Sequence, residues 1–223
     1  MEQHPYVSIL RRAGTVLIAI GVLDIAVMIY CIVNGISYSS SLNVFAVVAG
    51  FFLLRGSLAV AGLVRWFSVF FLSALCVLAF VWPVVQPVDL TLTQVRLSPF
   101  AAAVSALLLV ALVCLFAWLQ RQLGRPPVLV ATKAAGKKIR SMWVPAAAGL
   151  ALVALLAVVV PLALSGESGS KAKAVAQGQL GAGYKYHVSS LSVSTTSRGT
   201  SVSARVTAWN DKEVRIVPVE WSE

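Results

Sequence analysis

Residues 42–85 read LNVFAVVAGFFLLRGSLAVAGLVRWFSVFFLSALCVLAFVWPVV, and only two of these positions, Arg55 and Arg65, carry a charge. A helix needs about 20 apolar residues to cross a hydrocarbon core about 30 Å thick, so this stretch is long enough to cross twice. The hairpin expected from it turns at Val64 and Arg65, between spans at 42–63 and 66–85. Three further segments of similar length and character lie outside it, at 14–34, 100–119 and 143–164. Of the 223 residues 59% are hydrophobic and 12% charged, with a mean hydropathy of +0.87. A soluble domain needs more polar surface than this, so lipid is the expected solvent for a five-helix transmembrane bundle.

Charge orients the bundle. Arg11 and Arg12 precede the first span, Arg65 sits in the predicted hairpin, and Arg121, Arg125, Lys133, Lys137, Lys138 and Arg140 fill loop 120–142. The alternate loops, 35–41 and 86–99, hold Arg96 alone. Basic residues accumulate on the cytoplasmic side of a membrane protein, which predicts a cytoplasmic lead at 1–13 and a C-terminal tail outside the barrier. Trp66, Trp82, Trp118 and Trp143 fall at or near predicted span ends, where amphipathic rings meet headgroups. The compact loops and short lead fit a bacterial inner membrane, with the tail in the periplasm.

The formal net charge of +10 is unevenly shared: residues 1–164 hold eleven basic and three acidic residues, residues 165–223 seven and five. Most of the positive charge therefore marks topology and faces lipid headgroups, and no nucleic-acid partner is expected. The first span is too long for a cleaved signal, contains Asp24, and is not followed by a small-residue cleavage site. Cys31, Cys76 and Cys114 all lie inside spans, so the tail has no disulfide framework.

No internal repeat is evident. The second span is rich in small residues (Ala46, Ala49, Gly50, Gly56, Ser57, Ala61, Gly62), which let helix backbones approach and predict a central position. Residues 165–170, SGESGS, read as a flexible linker. The segment 171–223 reads as a small extracytoplasmic α+β domain, a short helix at 171–180 followed by a three-stranded antiparallel meander. In 184–194 the apolar alternation changes phase between Val188 and Leu191, which predicts a bulge. Residues 200–209 alternate cleanly, Asn210-Asp211 signals a turn, and Pro218 assigns the last strand to an edge. So small a sheet needs support, and loop 86–99, whose Val88, Leu90 and Leu92 alternate with polar residues, is expected to form a strand or an ordered cover beneath it.

Few residues invite chemistry. Asp24 and Arg55 fall at similar depth on neighbouring predicted spans, and a charge in hydrocarbon is costly unless paired, so an intramembrane Asp24–Arg55 ion pair is expected. Loop 120–142, with Arg121, Arg125, Lys133, Lys137, Lys138 and Arg140 and no acid, is a candidate contact for anionic lipid or a partner. Tyr184, Tyr186, Trp209 and Trp221 are a candidate recognition face on the tail, with two of them expected instead in its small core. His4 and His187 stand at opposite ends of the chain without Cys or acidic neighbours at ligand spacing, so neither a metal nor any other cofactor is expected; His187 reads as an exposed strand residue. Neither a G-x-S-x-G nor a phosphate-loop pattern occurs.

The expected function is therefore non-enzymatic: an accessory, assembly or sensing subunit that presents the tail to a protein partner or to a second copy of itself. The second expectation is a small transporter or channel that uses Asp24 and Arg55.

Overall fold

The computed structural model describes residues 5–35, 42–196 and 199–222. His4, part of the predicted lead and most of loop 35–41 lie outside the described residues. The chain divides into two compact units, one of Met1–Ala74 with Leu112–Gly149 and one of Leu75–Ala111 with Leu150–Glu223. The boundary cuts three long helices rather than separating a membrane bundle from a tail.

The first unit holds helices α1 (Pro5–Val33) and α2 (Leu42–Leu54) and the first part of α3 (Leu58–Val85). The later part of α5 (Pro99–Leu123), helix α6 (Pro126–Ala134) and the start of α7 (Trp143–Ser165) complete it. Four of these helices, α1, α3, α5 and α7, are long and apolar enough to cross a membrane. They leave large apolar side chains exposed, Phe80 by 86% and Phe100 by 82%, which is compatible with a multi-pass membrane protein. Residues 5–13, expected as a lead, already belong to α1, because Leu10, Ala13, Gly14, Leu17 and Gly21 form one continuous buried face.

The predicted second span is not one helix. α2 stops after 13 residues, about 20 Å at 1.5 Å per residue and short of a bilayer core. Its end has a specific cause: the Gly56 N–H donates to the Leu53 carbonyl (2.9 Å), and the Ser57 N–H to the Phe52 carbonyl (3.1 Å). Gly56 adopts φ +78°, so the residue without a Cβ occupies the left-handed position this cap needs. Ser57 then starts α3, its hydroxyl accepting from the Val60 N–H (3.5 Å). The hairpin thus turns at Arg55-Gly56-Ser57 instead of Val64-Arg65. The small residues do mediate close packing, since a Cβ on Gly14 of α1 would lie 2.7 Å from the Gly50 carbonyl oxygen. Around that contact, Leu10 and Leu17 pack with Ala49, Leu53, Ala61, Val64, Leu119 and Leu123.

The second unit holds the remaining parts of α3, α5 and α7, with α4 (Val88–Leu97), α8 (Glu167–Leu180) and strands β1 (Lys185–Thr196), β2 (Gly199–Trp209) and β3 (Val214–Ser222). Residues 88–97 are helical, not a strand: Pro87 stands at the N-cap, Asp89 in the first turn and Arg96 in the last, the charge order a helix dipole favours. The predicted linker shrinks to Gly166, between α7 and α8.

The sheet has the order β1-β2-β3, antiparallel throughout. Its register slips between Val188 and Ser190, the bulge expected from the sequence. Pro218 sits opposite Arg205 on an edge strand. Asn210 builds the β2–β3 turn, its Oδ1 accepting from the Lys212 and Glu213 N–H groups (both 2.9 Å). α8 covers one sheet face, burying Ala172 and Ala176 against Val188, Ala204, Val206, Ala208, Val217 and Val219.

Gly56→Ala is expected to destabilise the purified full chain by about 1–2 kcal/mol, the penalty of a side chain in the left-handed region. Gly62→Ala, at a helical position with open space around it, should be neutral or stabilising by up to about 1 kcal/mol. Thermal melts in detergent compare the two; equal effects would contradict the assigned turn.

Candidate functional site

Relocating the turn exchanges the roles of two arginines. Arg55 lies in the turn, exposed, its guanidinium 4.4 Å from the Phe51 ring centroid. Arg65 lies seven residues inside α3, with its Nε–H buried and without an acceptor among the described residues. The structure does not bring Asp24 and Arg55 together. Gly14 is the α1 residue that meets Gly50 and Leu54, and Asp24 is ten residues further along, about 15 Å in a helix. Sequence reasoning took Arg-Gly-Ser for part of an apolar span; read as a helix stop and start, it gives the observed arrangement.

The six basic residues of loop 120–142 divide. Lys137, Lys138 and Arg140 line a cavity of about 470 Å³ that Arg65 also lines. Arg121, Arg125 and Lys133 are exposed and do not line it.

Nor do the four tail aromatics make one outward face. Trp209 is 5% exposed. Tyr184, Tyr186 and Trp221 pack partly buried against the α8–sheet core. Both tyrosine hydroxyls are engaged within the module. The Tyr184 hydroxyl donates to Glu213, and the Tyr186 hydroxyl to the Gly181 carbonyl (2.5 Å). Lys171 sits 5.6 Å over the Trp221 ring. Aromatic rings at a small sheet are its cheapest source of buried area, which is why they fill the core.

The sheet face away from α8 is different. Ser190, Ser192, Ser203, Arg205, Pro218 and Glu220 line an open groove across all three strands. Ser190 opposes Arg205 and Ser192 opposes Ser203, while Ser203 and Arg205 oppose Glu220 and Pro218. The alternation that buries Val202, Ala204 and Val206 places Ser203 and Arg205 here, so the sequence carried the signal.

At its other end this face meets α4. Lys185 pairs with Asp89 at 2.6 Å, with both side chains largely exposed. Loop 86–99 therefore reaches the sheet at this ion pair, and does so as a helix. The hydrogen bond to Asp89 raises the Lys185 pKa. His187 is half-buried, not exposed: it lines a small cavity with Lys173, Leu164 and Pro161. Burial, and then the charge of Lys173, lower its pKa. In the β2–β3 turn the Tyr184 hydroxyl and then the Arg215 guanidinium (2.9 Å) hold the Glu213 carboxyl below its usual value. The same Tyr184–Glu213 bond raises the phenol.

No protein-family model, curated protein or solved structure matches this chain. Among the described residues no group of three or more His, Cys, Asp or Glu is placed to hold a metal ion.

Two acid-sensitive contributions follow, both from groups whose folded pKa is depressed. The His187 contribution is complete above its ordinary value of 6.5 and is lost as pH falls through the lower folded value. That of Glu213 is complete above 4.5 and disappears at more acid pH. Protection of the β1 and 210–213 amides in the full chain, corrected for the pH dependence of intrinsic exchange, should fall in that order on acidification. His187→Gln should remove the first step and leave the second; an unchanged profile would contradict the assignment.

Proposed function

We propose that this chain is a non-enzymatic, multi-pass inner-membrane protein whose helices hold a small α+β module on the periplasmic side, where it engages a protein partner. It serves as an accessory, assembly or sensing subunit.

The observation that carries this reading is how the module is mounted. Only Gly166 separates α7 from α8. A Cβ on Gly169 would fall 1.9 Å from the Leu164 carbonyl oxygen, so α8 folds back tightly on the end of α7. Asp89 of α4 grips Lys185 of β1. A module held at its helix, and by an ion pair at its sheet, keeps its free face in a fixed direction, and a prepaid orientation lowers the cost of binding. That free face is the groove of serines with Arg205 and Glu220, a surface suited to hydrogen bonding an extended polar segment.

Orientation rests on charge. With Arg55 in the turn, most basic residues of the first unit lie at helix ends and in connecting segments, while Arg11, Arg12 and Arg65 lie six or seven residues inside α1 and α3. That distribution supports a cytoplasmic end there and a periplasmic tail. The transporter or channel reading depended on an Asp24–Arg55 pair, and the separation of those residues favours the interaction reading over it.

Cross-linking of the full-length protein in its native membranes should capture a partner that Arg205→Glu combined with Ser203→Tyr loses by about tenfold or more, with the melting profile unchanged. Retention of the same partner by this variant, or by a chain lacking residues 165–223, would refute a role centred on the module.

A further inference from the structure

The cavity shared by Arg65, Lys137, Lys138 and Arg140 lies wholly within the first unit. It does not depend on the role of the module. Its volume, about 470 Å³, falls in the range of small-molecule sites. Four cations line it without an acidic residue, and the remaining wall is largely apolar, including Leu58, Leu63, Leu129 and Met142. Among the described residues of this unit Asp24 is the sole acid, and it lies on α1, which contributes nothing to the cavity lining.

Arg65 is the residue that requires an explanation. It sits seven residues into a helix long and apolar enough to cross a membrane, about 10 Å from the helix start. A partly buried guanidinium without an acceptor is costly wherever it lies. Gly124, just beyond α5, leaves it room: a Cβ there would lie 3.3 Å from both Nε and Nη2. The space is kept for a cation, and its Nε–H, buried, has no acceptor among the described residues. The guanidinium fork matches a phosphate, whereas Lys137 and Lys138 are exposed point charges at the rim.

We propose that this cavity seats the headgroup phosphate of an anionic phospholipid, held by Arg65, Lys137 and Lys138, with the apolar wall meeting the glycerol and first acyl methylenes. The joint apolar and cationic lining selects an amphiphile over a soluble anion. A lone phosphate would leave Leu58, Leu63 and Met142 facing water.

Native mass spectrometry of the detergent-solubilised full chain tests this with phosphatidylglycerol, phosphatidylcholine and inorganic phosphate as probes. One phosphatidylglycerol should be retained through delipidating washes that remove phosphatidylcholine. Arg65→Ala and the double variant Lys137→Ala/Lys138→Ala should each weaken retention by about fivefold per cation removed. Lys133→Ala, a loop cation outside the cavity, should leave it unchanged. The lysine pair is exposed, so that variant reports on binding even where Arg65→Ala fails to fold. Equal retention of the two lipids, equal loss in Lys133→Ala, or displacement of the lipid by millimolar inorganic phosphate would each overturn the proposal.

Discussion

Two backbone hydrogen bonds at the end of α2, from Gly56 and Ser57 to the carbonyls of Leu53 and Phe52, set the register of everything that follows them. The last carbonyls of a helix need partners, and here the chain closes on itself. Gly56 allows the closure and Ser57 caps the next helix at once, which makes the turn only three residues long. Moving the turn about nine residues earlier than the apolar pattern predicts releases Arg55 from a buried position and carries Arg65 into α3. One local cap thereby separates Arg55 from Asp24 and leaves Arg65 lining the cavity with Lys137, Lys138 and Arg140.

The same economy governs the other unit. A three-stranded sheet with one helix buries too little to stand alone. Here it borrows from α7 through the one-residue connection at Gly166, and from α4 through Asp89. The exposed ion pair contributes little stability by itself. Its effect is on orientation, because it ties β1 to the helix between two long apolar segments.

Short-range chemistry was the most legible part of the sequence. Asn210 named its turn, the phase change after Val188 named its bulge, and Pro218 named its edge, because each depends on bonding within a few residues. The errors came from smoothing over a window. Hydropathy averaged across 42–63 hid Arg-Gly-Ser inside an apolar run. Alternation in 88–93 imitated a strand, although Pro87 and the order of Asp89 and Arg96 favoured a helix. The candidate sites depend on the same feature: with the turn expected at Val64-Arg65, Arg65 falls in a loop, and only the Arg-Gly-Ser turn carries it into α3. Which of the tail aromatics enter the core is not legible, because sequence alone does not say which sheet face a neighbouring helix will cover.

Cysteine accessibility tests the turn most directly. With Cys31, Cys76 and Cys114 replaced by alanine, single cysteines at positions 55 and 65 are labelled with a membrane-impermeant maleimide in inverted and right-side-out vesicles. The account predicts rapid labelling of Arg55→Cys from the cytoplasmic side and protection of Arg65→Cys. Labelling at 65 with protection at 55 would restore the hairpin at Val64-Arg65 and contradict it.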